Sequence, residues 1–133
     1  MFLTKLTPVF KRIASPAFGT TRTLVNQASI LGRAGQDAEL SNVGNDRSVV
    51  QFSVATSESK TDAEGNIIKT TQWHRIVSWD QKRNPMLADR VKKGDLVYVE
   101  GPLQYRSYTT KDGSERHLSE IILRSFQAMT PKA

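Results

Sequence analysis

The stretch TTQWHRIVSW, residues 70–79, holds both tryptophans of the chain, Trp73 and Trp79, with Arg75 between them. Flat aromatic rings stack on other planar groups; on nucleobases this contributes about 1–3 kcal/mol per base, whatever the base. A guanidinium pairs with anions, phosphates above all. Strand side chains alternate with period two. An extended segment here therefore predicts Trp73, Arg75, Val77 and Trp79 on one face and His74 on the other.

A second segment repeats the pattern. In LQYRSYTTKDGSERH, residues 103–117, Arg106 and Tyr108 share one strand parity, and Lys111 and Arg116 lie at and across a turn centred on KDG. Tyr108 is the stacking candidate. Tyr105 has the opposite parity and is expected to pack. Arg33, at the end of an earlier apolar segment, joins the rim of cations. Each residue also has a plainer reading. Tryptophans are often partly buried core residues. Arg75 could sit in a surface ion pair of little worth. His74 reads as a packed or subunit-contact residue, and His117 as a surface one.

Composition narrows the chemistry. There is no cysteine, which excludes disulfides, thiol catalysis and cysteine-ligated zinc. With two histidines, a histidine-rich metal centre is not expected, nor is any cofactor. A hydrolase or nuclease would need clustered carboxylates or a histidine–metal centre. The acids instead lie scattered through loops and turns, as at Asp62, Glu64, Asp80, Asp112 and Glu115, so no enzyme is expected. No apolar run approaches the roughly 20 residues of a membrane span, so no membrane partner is expected.

The elements that must position these residues are strands. Ala28 to Arg33 is a short first strand, followed by the turn-rich SNVGND at 41–46. RSVVQFSVATS then alternates, with Val50, Phe52 and Val54 on one side. KTDAEGN is a loop leading into the tryptophan strand. In DQKRNPMLADRVKKGD, Asn84 is expected to cap a helix and Pro85 suits its first position; Met86, Leu87, Ala88 and Val91 form its apolar side. LVYVEGPLQYRSYTT is a strand bent at Gly101-Pro102, and SERHLSEIILRSFQAM returns as the last one. The expected fold is all-β: an OB-fold, a five-stranded Greek-key barrel with one short helix between strands 3 and 4.

Charge is uneven. Residues 1–26 contain Lys5, Lys11, Arg12 and Arg22 and no acid; these account for four of the net +6, leaving +2 for residues 27–133. A basic, hydroxyl-rich, acid-free leader whose cations interrupt its apolar residues reads as a cleaved mitochondrial presequence rather than a secretory signal, with a disordered basic arm that binds phosphates as the plainer alternative. The expected organisation is thus a presequence over 1–26, cut somewhere between Ser15 and Asn26, and one binding domain over 27–133, acting in the mitochondrial matrix and nucleoid.

The segments GRAGQDAEL, ATSES, TQWHRIVSW, VKKGDLVYVEGPLQYRSY and DGSERH together resemble the bacterial-type single-stranded DNA-binding proteins, over roughly Ser29 to Met129, and with the leader the mitochondrial branch. The resemblance implies an OB-fold homotetramer that binds single-stranded DNA without sequence preference and without catalysis during mitochondrial DNA replication. It implies base stacking at Trp73, Trp79 and Tyr108, phosphate contacts from Arg75 and Arg106, a subunit contact at His74, and a first strand that pairs across subunits; Arg33, Lys111 and Arg116 are phosphate candidates on the residue pattern alone. Many bacterial members carry an aromatic where Lys60 stands, so Lys60 is expected to replace a stacking contact by a phosphate contact. Bacterial members also end in an acidic-tipped tail that recruits other enzymes. No acid follows Glu120 here, so a functional link to the mitochondrial DNA polymerase or helicase is expected to use another surface or the DNA itself. The alternative is a single-stranded RNA binder of cold-shock type, since the same aromatics would serve it.

Overall fold

The computed structural model describes residues 24–130. Its elements are β1 (Ala28–Ala34), β2 (Glu39–Asn42), β3 (Ser48–Thr61), β4 (Ile67–Ser78), α1 (Asn84–Arg90), β5 (Leu96–Gly101), β6 (Leu103–Thr109), β7 (Glu115–Ile122) and β8 (Ser125–Ala128). The hydrogen-bonded path runs β6-β7-β4-β3-β1-β5-β8, with β2 paired to β3 beside it. Only β4 and β7 run parallel; every other pair is antiparallel.

The expected five-stranded barrel is therefore an open eight-stranded sheet, for three local reasons. The short β2, four exposed residues beside β3, lacks the apolar alternation that marks a strand. The expected fourth strand breaks into β5 and β6 at Gly101-Pro102. Proline has no N–H for a ladder, and a β-carbon at Gly101 would overlap the Ile122 carbonyl. The expected last strand breaks into β7 and β8 at Leu123 and Arg124, whose amides bond to Val77 O (2.8 Å) and Glu100 O (2.8 Å). β5 and β7 approach each other there without pairing. The helix stands between the fourth and fifth of eight strands.

Alternation builds the core as the sequence predicts. Val50, Phe52 and Val54 of β3 sit opposite Ser78, Ile76 and His74 of β4. The first three pack with Ile76, Val97, Val99, Ile121, Leu123, the helix residue Leu87 and Val91 just past the helix end. Burying one such side chain stabilises the fold by about 1.5–3 kcal/mol. The helix begins where Pro85 predicts, but Asn84 does not cap it. Asn84 is fully buried, accepting from Ser78 Oγ (2.8 Å) and donating to Ser48 O (3.1 Å), so it ties β3, β4 and α1 together. Met86 is exposed rather than part of the apolar side.

Most of the expected presequence, residues 1–23, lies outside the described residues. Asn26, the last position of that span, donates from Nδ2 to Leu103 O (2.8 Å) and accepts at Oδ1 from Leu103 N (3.0 Å). Its amide thus pairs with the start of β6 as a strand residue would.

Candidate functional site

Residues directly opposite in a ladder share a face. Across β1, β3 and β4 one row reads Arg33, Ala55, Trp73, and the next pairs Ser53 with Arg75. The parallel pairing of Ile76 with Ile121 carries this face onto β7, placing Glu120 beside Arg75. From there β6 pairs Gln104 with Glu120, Arg106 with Leu118 and Tyr108 with Arg116. Arg33, Trp73, Arg75, Arg106, Tyr108 and Arg116 thus lie on one continuous face, drawn from five strands once Ala55 of β3 is included.

The aromatics on that face are open: Trp73 is 63% and Tyr108 50% exposed. A stacking ring must leave a π-surface to solvent, and these do. Trp73 is not loose, however. Its six-membered ring lies against Gly35, where a β-carbon would overlap Cζ3, while the Gly35 amide bonds to Ser53 O (2.9 Å). The glycine leaves room for the indole to lie down beside β3.

The two central arginines share a buried partner. Glu120, 4% exposed, accepts from Arg75 Nε at Oε2 (3.3 Å) and from Arg106 Nε at Oε1 (3.0 Å). Arg75 also donates from Nη2 to Gln51 Oε1 (2.8 Å). A carboxylate removed from water needs paired, hydrogen-bonded charge around it, and these guanidiniums supply it. Arg75 is therefore more than a surface ion pair. Glu120 was missed among the scattered acids, although counting back from the KDG turn places it diagonal to Arg106 on the same face.

Other predicted residues fall elsewhere. Val77 is buried, and Trp79 follows the end of β4, about 20 Å along from Trp73 at strand spacing. The four alternating residues therefore do not form one open stripe. Trp79 is 42% exposed, its carbonyl accepts from Gln81 Nε2 (2.9 Å), and the Arg47 guanidinium stands 5.3 Å from its ring centroid. That cation–π contact arises because β3 pairs antiparallel with β4, Val50 opposite Ser78, which brings the residue before β3 to the end of β4. Lys60 pairs with Ile68 and has the parity of Val54 and His74, opposite the Trp73 face, on an arm exposed on both sides. Lys111 is exposed at the β6–β7 turn. His74 is half-buried, its Nε2 2.9 Å from Thr56 Oγ1. His117 is exposed as expected. Tyr105, expected to pack, is instead 75% exposed. It has the inward parity, but β6 and β7 continue beyond the core as a two-stranded arm, so both faces meet solvent.

Two turns hold the arms in shape. Asp62 accepts from the amides of Asn66 (2.8 Å) and Glu64 (2.9 Å), and the Asn66 amide above all holds its carboxyl below the usual carboxylate range. Asp112 accepts from the Thr110 hydroxyl and the Ser114 amide; the hydroxyl is the main reason its carboxyl is likewise lowered. Among the described residues, no three His, Asp or Glu side chains converge as a metal site.

Comparison with known proteins identifies the family. Residues 25–129 match the model of the single-strand binding protein family. The chain is 38% identical to single-stranded DNA-binding protein 1 of Chlorobaculum tepidum over 109 residues, 81% of this chain and 67% of that protein. It is 37% identical to the single-stranded DNA-binding protein of Neisseria meningitidis over 105 residues, 79% of this chain and 60% of that one. It thus spans about three fifths to two thirds of the length of these curated relatives. Among solved structures, a Plasmodium falciparum SSB in complex with single-stranded DNA superimposes with a TM-score of 0.74 at 28% identity, covering 84% of this chain and all of that one. With four fifths of the sequence inside the family model, the chain belongs to the single-strand binding protein family.

Proposed function

We propose that the protein binds single-stranded DNA without regard to base sequence and without catalysis. The observation that carries this is the continuous face on which Trp73 and Tyr108 stay open while Arg33, Arg75, Arg106 and Arg116 stand among them. Rings take bases and guanidiniums take phosphates. Binding lowers the free energy of the unpaired state, so hairpins and duplex ends melt by mass action. Trp79 with Arg47 and Lys111 extend the path at its ends, and Lys60, on the opposite side of its arm, meets the strand where it wraps that arm.

The setting we infer is the mitochondrial nucleoid, where the protein protects displaced strands during DNA replication, with links to the polymerase and helicase made through the DNA or an outer surface. The acid-free leader supports that address. A homotetramer with His74 near a subunit contact is the inferred assembly, supported by the family resemblance. Light scattering of the parent and of His74→Ala tests it: a monomeric parent contradicts the assembly, and an unchanged variant mass contradicts the role of His74.

Titration with oligo-dT, followed by tryptophan fluorescence over a range of salt, tests the binding reading. The expected result is quenching, with log affinity falling against log salt by about 0.7 per phosphate contacted. Competition with oligo-U and with duplex completes it. Equal or tighter binding of RNA, or preference for duplex, contradicts the proposal.

A further inference from the structure

We propose that Glu120 is a positioning residue of the strand-binding face, fixing the two central guanidiniums and reducing their net charge so that affinity depends on their geometry more than on bulk electrostatics. This rests on the single-stranded DNA reading above. The carboxylate has only 4% exposure, so a bound strand does not reach it directly; it acts through its partners. Each of its oxygens takes the Nε–H of one arginine. Arg106 uses Nε alone and Arg75 uses Nε and one Nη, the latter on Gln51. The forks are thereby held from behind, and their remaining N–H groups stay free for an anion.

The surroundings make the placement informative. Trp73, Arg75, Gln104, Arg106, Tyr108, Arg116 and Leu118 share this face on β4, β6 and β7, and Glu120 is the one acid those three strands turn toward it, among the described residues. A carboxylate among cations that must attract phosphates weakens long-range attraction. What it gives in return is order: two long side chains share one anchor, so less freedom is lost when a phosphate binds. Arg75 lies one row from Trp73, and Arg106 two residues from Tyr108. Fixing the guanidiniums therefore fixes the spacing between charge contacts and stacking rings.

The test is Glu120→Gln in the full chain, titrated with oligo-dT from low to high salt beside the parent. The cluster's net charge then rises from +1 to +2 while the anchor weakens. The log–log salt dependence should steepen by about 0.7, as for one more phosphate neutralised, with affinity about fivefold weaker at high salt. A purely structural ion pair would give parallel lines. Parallel lines in a parent that binds overturn the positioning role alone; a parent that does not bind oligo-dT at low salt overturns both the role and the functional reading. Should Glu120→Gln fail to fold, Arg106→Lys decides, because it keeps the charge but has no Nε–H to anchor. Its expected result is an unchanged slope with about fivefold weaker binding, and parental affinity overturns the proposal.

Discussion

The indole of Trp73 lies against the main chain of Gly35, so close that a β-carbon there would overlap the ring. Two segments 38 positions apart in the chain thus meet where the proposed strand path crosses β3 and β4.

Gly35→Ala follows directly. Gly35 does not adopt the left-handed backbone that would itself resist alanine, so the cost falls on the ring. The expected outcome is a tilted Trp73, a shifted fluorescence maximum, and oligo-dT binding weaker by up to about 1–3 kcal/mol, the worth of one stack. Thermal melting within a few degrees of the parent should accompany it; parental affinity would show that the ring's seat is immaterial.

Trp73→Ala and Tyr108→Ala are each expected to weaken binding by about 1–3 kcal/mol with the fold intact. Tyr105→Ala should leave affinity nearly unchanged, because Tyr105 is more exposed than either but has the opposite strand parity. This trio separates face from exposure. If exposure alone mattered, Tyr105 would be the most sensitive of the three.

Much of this face is legible in the sequence. Period-two alternation places Trp73 with Arg75 and Arg106 with Tyr108, and the KDG turn fixes the register of β6 on β7. Pro85 marks the helix start. What escapes is what depends on contacts distant in sequence. Tyr105 carries the parity of a core residue, but parity does not say where the core ends. Val77 and Trp79 obey the alternation, yet one is covered and the other lies past the ladder. Asn84 looks like a cap and is used instead as a buried bridge between strands, since Ser48 and Ser78 approach it only after folding. Eight strands look like five in the sequence because β2 carries no pattern and because two breaks, at Gly101-Pro102 and at Leu123-Arg124, divide runs that each read as one continuous strand.

Core and face should respond independently. Phe52 is 1% exposed and makes no part of the outer face. Phe52→Ala is expected to lower stability by about 3–5 kcal/mol in urea unfolding. Affinity for oligo-dT, measured where the variant remains folded, should stay near that of the parent; a matching loss of affinity would mean that stability and binding are coupled through the core.

Acid should loosen the arms before the core of the sheet. Asp62 and Asp112 both have folded-state carboxyls lowered by turn hydrogen bonds. A depressed folded value means the stabilisation is present above the ordinary carboxylate range and is lost as pH falls through the folded value. Protection of the Asn66 and Ser114 amides, relative to the intrinsic exchange rate at each pH, should therefore fall at low pH while that of Phe52 and Val99 is retained. Equal loss everywhere would contradict this order.

The central claim is that the strand lies across the face shared by Trp73 and Tyr108. Its most direct test is photo-crosslinking to bromodeoxyuridine-substituted oligo-dT, with the adducts located by mass spectrometry. Adducts at Trp73 and Tyr108 are the predicted result. Adducts confined to Tyr98 and Tyr105, with Trp73 and Tyr108 unmodified, would place the strand elsewhere and contradict the account.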